Sequence, residues 1–244
     1  LQNRPTSVLI RFWEGFLTVL PVKKGIFLPG MFRVVFILSV SLTLFSCCFG
    51  QAEWQLKSDK DNIKTFSKTV PGSKINAVKV ESVFTASLSQ LVSALLDVDS
   101  YDKWIYNSKS TRLLKQVSPS EVYYYSEVIF PWPTTNRDFV SHVTVSQDAP
   151  SKTVRIEAIN VAGWVPPKRG IVRIDRSEAK WIITPLDQNK VRIEYELQTD
   201  PGGDLPAWLI NPFASKGLVE TFKHLREWIK NPQYTNAQLG FITN

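Results

Sequence analysis

Residues 191–199, VRIEYELQT, run into DPGGDLP at 200–206 and then into AWLINPFASKGLVETFKHLREWIK at 207–230. In the first segment Val191, Ile193, Tyr195 and Leu197 alternate with Arg192, Glu194, Glu196 and Gln198. Neighbouring strand residues point to opposite faces, so this is a strand with one apolar and one wet side. In the last segment Leu218, Phe222, Leu225 and Ile229 recur at the spacing of one helix stripe. Gly202 and Gly203 form a hinge that would let the helix swing, and Pro212 is expected to break or kink it. An apolar sheet face and an apolar helix stripe joined by a hinge close either on each other as core or around an apolar ligand.

The pattern upstream extends this sheet. Residues 63–70 and 75–84 read as strands around the turn at Pro71–Ser73, and residues 87–96 as a helix with Leu88, Leu91, Val92 and Leu95 on one side. Strands are expected at 111–117, 121–130, 139–146, 153–159, 170–175, 179–184 and 191–199, and a short polar helix or turn at 54–61. Short connections favour antiparallel neighbours, and alternation leaves one face solvated. The fold class is α+β: a curved antiparallel sheet wrapped around a long C-terminal helix, in one domain spanning residues 51–244.

Met31 is the only methionine, and Phe32, Arg33 and an apolar run from Val34 to Ser46 follow it. The run is shorter than the ~20 residues of a membrane span and has the layout of a secretory signal peptide at 31–50. Residues 1–30 then read as upstream sequence translated in error; the alternative is a genuine extension with a signal anchor. Cleavage near Gly50 gives a periplasmic or secreted protein. Acylation of Cys47, in the box at 44–47, gives an anchored lipoprotein instead.

Residues 1–50 also carry most of the charge excess. Removing their five cations and one acid from totals of 29 and 22 leaves 24 and 21, a net of +3. That balance removes the main support for a nucleic-acid partner. Both cysteines, Cys47 and Cys48, lie in the leader, so the domain has no disulfide and no thiolate chemistry.

The segment PWPTTNRDFV at 131–140 resembles a hallmark of START (steroidogenic-acute-regulatory-protein-related lipid transfer) domains, in which a Pro-rich turn precedes an Arg-Asp-aromatic-Val strand opening. Trp54 followed by Ile63, the YDKW of 101–104, and DPGGDLP with its helix agree in order and spacing. The resemblance covers essentially all of 51–244, and the leader points to an exported bacterial member. It implies a helix-grip fold, an internal lipid cavity and no cofactor; the residues themselves suggest no metal site, and a monomer is expected. Arg137 and Asp138 are expected to be structural, paired locally at a strand entrance. Many lipid-binding members carry a second arginine six residues on, facing an acidic partner. Here those positions are Val143 and, by ungapped alignment, Tyr124. A cavity without that pair avoids a large desolvation cost. It favours a neutral or weakly polar ligand, such as an acyl chain, a diacylglycerol or a polyisoprenoid, with hydroxyl contacts from Tyr124, Ser126, Ser141 and Tyr195.

The expected cavity wall is Tyr124, Val128, Phe139, Ser141, Val143, Val154, Ile156, Trp181, Ile183, Ile193, Tyr195 and Leu197 from the sheet, closed by Leu218, Phe222, Leu225 and Ile229. A fourteen-carbon chain leaving a bilayer for water costs about 11 kcal/mol, which such a wall must offset. The loop at 161–169 fits a gate by family analogy. Trp164 and Val165 either form an exposed tip, with Lys168 and Arg169 toward anionic head groups, or fold back onto the sheet. Gly202 and Gly203 complete the gate. Against an enzyme, the domain has only His142 and His224, each off the apolar stripe of its element, while Glu127 and Glu157 also take outward parity. No nucleophile has an adjacent base. Two alternatives to a lipid carrier stay open: a cyclase- or hydratase-like enzyme of the same superfamily, and a membrane-associated interaction module.

Overall fold

The computed structural model describes residues 53–187 and 189–244; the expectations for residues 1–50 fall outside them. The strands are β1 (Gln55–Lys60), β2 (Ile63–Lys68), β3 (Ala77–Thr85), β4 (Ser108–Ser118), β5 (Glu121–Val128), β6 (Arg137–Gln147), β7 (Val154–Asn160), β8 (Val172–Arg173), β9 (Arg176–Asp187) and β10 (Lys190–Asp200). The helices are α1 (Leu88–Leu96), α2 (Tyr101–Trp104), α3 (Ala207–Trp228) and α4 (Pro232–Thr235). The sheet runs β1-β2-β3-β10-β9-β7-β6-β5-β4, every neighbour antiparallel, and β8 adds a short parallel pairing to the start of β6.

Register explains which side chains meet. Thr65, Val80, Tyr195, Trp181, Ile156 and Val145 stand opposite one another across six strands. The next row is Ile63, Ser82, Ile193, Ile183 and Val154. Cross-strand neighbours on one face pack directly, so these rows form a continuous inner surface. Helix α3 lies on it: the Phe222 ring stacks on Trp181 at 5.4 Å and meets Phe84 edge-on at 6.1 Å. Helix α1 closes one end through Leu88, Leu91, Val92 and Leu95. Its first turn is capped by Ser87, whose hydroxyl accepts from the Gln90 amide at 3.1 Å, and the Gln90 side chain donates to the Ile229 carbonyl at 2.8 Å, fixing α1 to the end of α3.

Three expectations are corrected. Residues 55–60 form a strand, not a helix or turn. An edge strand exposed on both faces shows no alternation, but Asp61 and Asn62, both with positive φ, make the two-residue hairpin turn that pairs it with β2. The strand expected at 170–175 shrinks to Val172–Arg173, because the amides of Val172 and Ile174 bond the Asn136 and Asp138 carbonyls at the entrance of β6. Helix α3 continues through Pro212. A proline there removes one amide near the helix start, where its would-be acceptor, the carbonyl of exposed Trp208, can turn to water. Both sheet edges are irregular: β1 slips register once, between Leu56 and Ser58, and β4 does so three times along its length.

Candidate ligand-binding site

The grip has a packed half and an open half. Val154, Ile183, Ile193, Phe222, Leu225 and Ile229 retain 1% or less of their accessible surface. A side chain without accessible surface borders no space that water could enter. These six are therefore core rather than cavity wall, because Phe222 fills the room between Phe84, Trp181 and Tyr195. Tyr124, Ser141, Val143 and Ile156 face inward and are buried as well. By contrast Val128, Phe139, Trp181, Tyr195, Leu197 and Leu218 point inward yet keep accessible surface, as do Ala158 and Ala179 beside them. Burial holds the Tyr195 phenol well above its ordinary pKa, although the ring is only partly covered. Depth and residual surface agree if the ring borders internal space. The open half lies under the N-terminal half of α3, where Phe213 meets Tyr106 and Phe130.

At the strand ends lies a cleft of about 570 Å³, bounded by the turn at 70–75 and the loop at 200–205. Its inner lip is Asn160, Ser177 and Thr199, which share the inward face. Buried Thr199 Oγ1 has no hydrogen-bond partner.

The start of β6 ties down three loops around this end. Arg137 is buried and donates to the carbonyls of Pro201 and Gly202 at 3.3 Å each and to that of Thr135, while its guanidinium lies 4.7 Å over the Phe130 ring. Asp138 pairs with Arg173 at 2.6 Å, and Arg173 also donates to the Val165 and Pro166 carbonyls. Arg137 and Asp138 are thus structural, but they bind loops rather than each other. Gly202 and Gly203 both have positive φ, and a Cβ on Gly202 would come within 3.2 Å of Val172. The hinge residues are accordingly pinned by Arg137 as well as free of side chains.

Glu127 takes outward parity yet is buried, because two of these loops cover it: it accepts from Lys109 at 2.7 Å, Asn136 at 3.2 Å and Lys168 at 3.4 Å. Burial alone would raise its pKa; bonds and charge from Lys109, Asn136 and Lys168 outweigh burial and hold it below the usual carboxylate value. A depressed folded pKa gives stability that is complete above the unfolded value and lost as pH falls through the folded one. Thermal unfolding between pH 7 and pH 3 is expected to show stability falling below about pH 4.5, part of it traceable to this group. Glu127→Gln should flatten that acid limb; an unchanged limb would remove Glu127 as its source.

Trp164 does not form a free tip. Its indole stacks on Tyr123 at 4.2 Å, Tyr123 stacks on His142 at 4.3 Å, and His142 Nε2 bonds Glu121 at 2.8 Å, so the loop folds back onto the outer sheet face. Val165 and Lys168 are engaged by Arg173 and Glu127, while Arg169 is exposed. His224 Nδ1 donates to the Trp104 carbonyl, 3.3 Å away. The prominent exposed indoles lie elsewhere: Trp132 is 90% and Trp208 78% exposed. In sequence they neighbour Phe130, Ala207 and Leu209, which pack against a small apolar cluster of Ile75, Leu205 and Ile210. The signal for them was in the sequence: a tryptophan between two prolines, and another in the first turn of a helix, have little to pack against.

A curved antiparallel sheet gripping a helix, with an uncharged open half beneath that helix, defines a helix-grip lipid-transfer class of protein. The START domain model matches residues 46–235, and the chain belongs to this family. An uncharacterized protein of Pseudomonas aeruginosa is 31% identical over 174 residues, covering 71% of this chain and 85% of that one. The phosphatidylcholine transfer protein of Rattus norvegicus is 25% identical over 185 residues, covering 74% and 85%. Among solved structures, a STAR-related lipid transfer protein from Xanthomonas axonopodis superposes with a TM-score of 0.67 at 29% identity, covering 73% of this chain and 99% of that one.

Proposed function

We propose that the protein binds one lipid in the open half of the grip and carries it between membranes. The observation that supports this is the inward face itself. Phe139, Trp181, Tyr195, Leu197 and Leu218 leave apolar surface unfilled under α3, and the inward positions of β5, β6, β7, β9 and β10 carry no charge except Arg137, which the loops already occupy. Such a surface favours an uncharged guest. If residues 31–50 act as a leader, the carrier works outside the cytoplasm as a monomer.

Membrane contact in this proposal falls to the exposed Trp132 and Trp208, with Trp164 committed to the outer face. Native mass spectrometry of the purified protein after incubation with mixed-lipid vesicles is expected to give a stoichiometric added mass that extracts as lipid. Replacing both Trp132 and Trp208 with alanine should slow vesicle-to-vesicle transfer about tenfold or more, since each buried apolar side chain contributes roughly 2 kcal/mol, without altering Tm. A clean apo mass with every vesicle would move the reading to an interaction module.

A further inference from the structure

We propose, building on the carrier reading, that the outer face of β4 and β5, with the loop at 161–169 across it, is a docking surface for an anionic bilayer. The anionic lipid here is the surface on which the carrier lands, not its guest. Register builds the face. Lys115 stands opposite Tyr123, and Tyr123 opposite His142; Arg112 stands opposite Tyr125, and Ser110 opposite Glu127, so these side chains share the wet side of the sheet. The loop lies over these rows. Trp164 stacks on Tyr123, the Lys168 ammonium lies 4.5 Å over the Tyr125 ring, and the Arg112 guanidinium lies 5.4 Å from the same ring.

On this face the charges are sorted by depth. The carboxylates lie underneath: Glu127 and Asp138 are 4% and 1% exposed, and Lys109, Lys168 and Arg173 already hold them. Glu121 is half-buried and bonded to His142. Asp99 and Asp175 are exposed acids at the margins, and Asp99 is held by the Leu113 amide. The cations lie on top. Lys109, Arg112, Lys115, Lys168 and Arg169 are all exposed, and among the described residues no ion pair engages Arg112, Lys115 or Arg169. Acids buried beneath cations add little to the outer field, so a partner meets the positive side. Two observations favour a bilayer as that partner. The face borders the loop that carries Trp132: the Ile129 amide bonds the Asn107 carbonyl just before β4, and Asn136 donates to the Glu127 oxygen that Lys109 also holds. An indole that is 90% exposed thus stands one loop away from the cations, and a headgroup layer accepts both, the ring among the chains and the cations on phosphates. The cations are also spread rather than convergent. Lys109 to Lys115 spans roughly 20 Å of strand, which suits a layer of headgroups and not one free phosphate.

The test is flotation of the purified protein with vesicles of phosphatidylcholine, and of phosphatidylcholine and phosphatidylglycerol in equal parts. Binding should be tighter to the mixed vesicles and should weaken as salt is added. Lys115→Gln with Arg169→Gln, at exposed positions outside every ion pair described, should weaken binding to the mixed vesicles by roughly 10- to 30-fold, about fivefold per cation. Binding to phosphatidylcholine and Tm should not change. Removing the same charge from β1 and β10, by Lys60→Gln with Arg192→Gln, should weaken binding by less than about twofold, because those cations lie more than a screening length from the face. Equal losses from the two pairs would mean that net charge alone acts and would overturn the assigned face. Equal binding to both vesicle compositions would overturn the docking surface, while a lipid mass in native mass spectrometry kept the carrier. Preference for soluble polyglutamate over the mixed vesicles would assign the face to an acidic protein and overturn the bilayer. Salt-sensitive binding to the mixed vesicles with no lipid taken up would support the surface and remove the carrier reading.

Discussion

Replacing Arg137 with methionine is expected to lower stability by about 3–5 kcal/mol, the largest effect of any single polar substitution. Arg137 is 3% exposed and its guanidinium has carbonyls, not a carboxylate, as its partners: Thr135, Pro201 and Gly202. Burial lowers its pKa, so its environment works against the charge and the bonds must offset that cost. Removing it leaves up to three carbonyls unsatisfied, each costing roughly 1–3 kcal/mol when buried, and removes the contact over Phe130. Arg137→Lys should recover little, since a single ammonium cannot fork to carbonyls on two loops. In thermal unfolding the loss corresponds to a fall of about 6–12 °C or more. Hydrogen exchange should quicken first in the loop at 200–205. A methionine variant within about 1 kcal/mol of wild type would show that water can replace the guanidinium at no cost.

Phe222→Ala should cost a further comparable amount, about 3–5 kcal/mol, because it opens a hole in a filled core. The ring touches Phe84, Trp181 and Tyr195 and has no accessible surface. Leu218, one turn earlier on the same stripe, keeps accessible surface and already borders unfilled space. Leu218→Ala should therefore cost about 1–2 kcal/mol, the lower end of such changes. Equal costs at the two positions would mean that the stripe is uniformly packed or uniformly hollow. Either result would remove the division of the grip into two halves.

That division was the part of the site that the sequence could not convey. Alternation places Tyr195 and Ile193 on the same face with equal force, and the register of β10 against β9 and β3 bears out the face. Nothing in a period of two says that Ile193 has no free surface while Tyr195 does. That depends on where α3 crosses the sheet and on Phe222 reaching Trp181, a relation between residues far apart in sequence. Fold class was legible because the strand at 191–199, the hinge and the helix stripe are each locally periodic. Edge strand β1 was not, since a strand wet on both faces has no period to detect. Glu127 shows the same limit from the other side: its outward parity was correct, but only the folded chain brings Lys109 of β4 and the loop residues Asn136 and Lys168 over it. Trp164 stacks on Tyr123 for the same reason, through a loop closure that no spacing rule encodes.

The irregular sheet edges have a consequence if, as proposed, the protein gathers on membranes. Confinement to a surface raises local concentration, and a flat, open strand edge would then template a second copy. Here β4 is interrupted by three register slips and carries Lys109, Arg112 and Lys115, while β1 slips once and carries Lys57 and Lys60. Slips twist the edge away from a straight partner, and like charges on two incoming copies repel. Crowding on a bilayer should leave the chains side by side but unjoined.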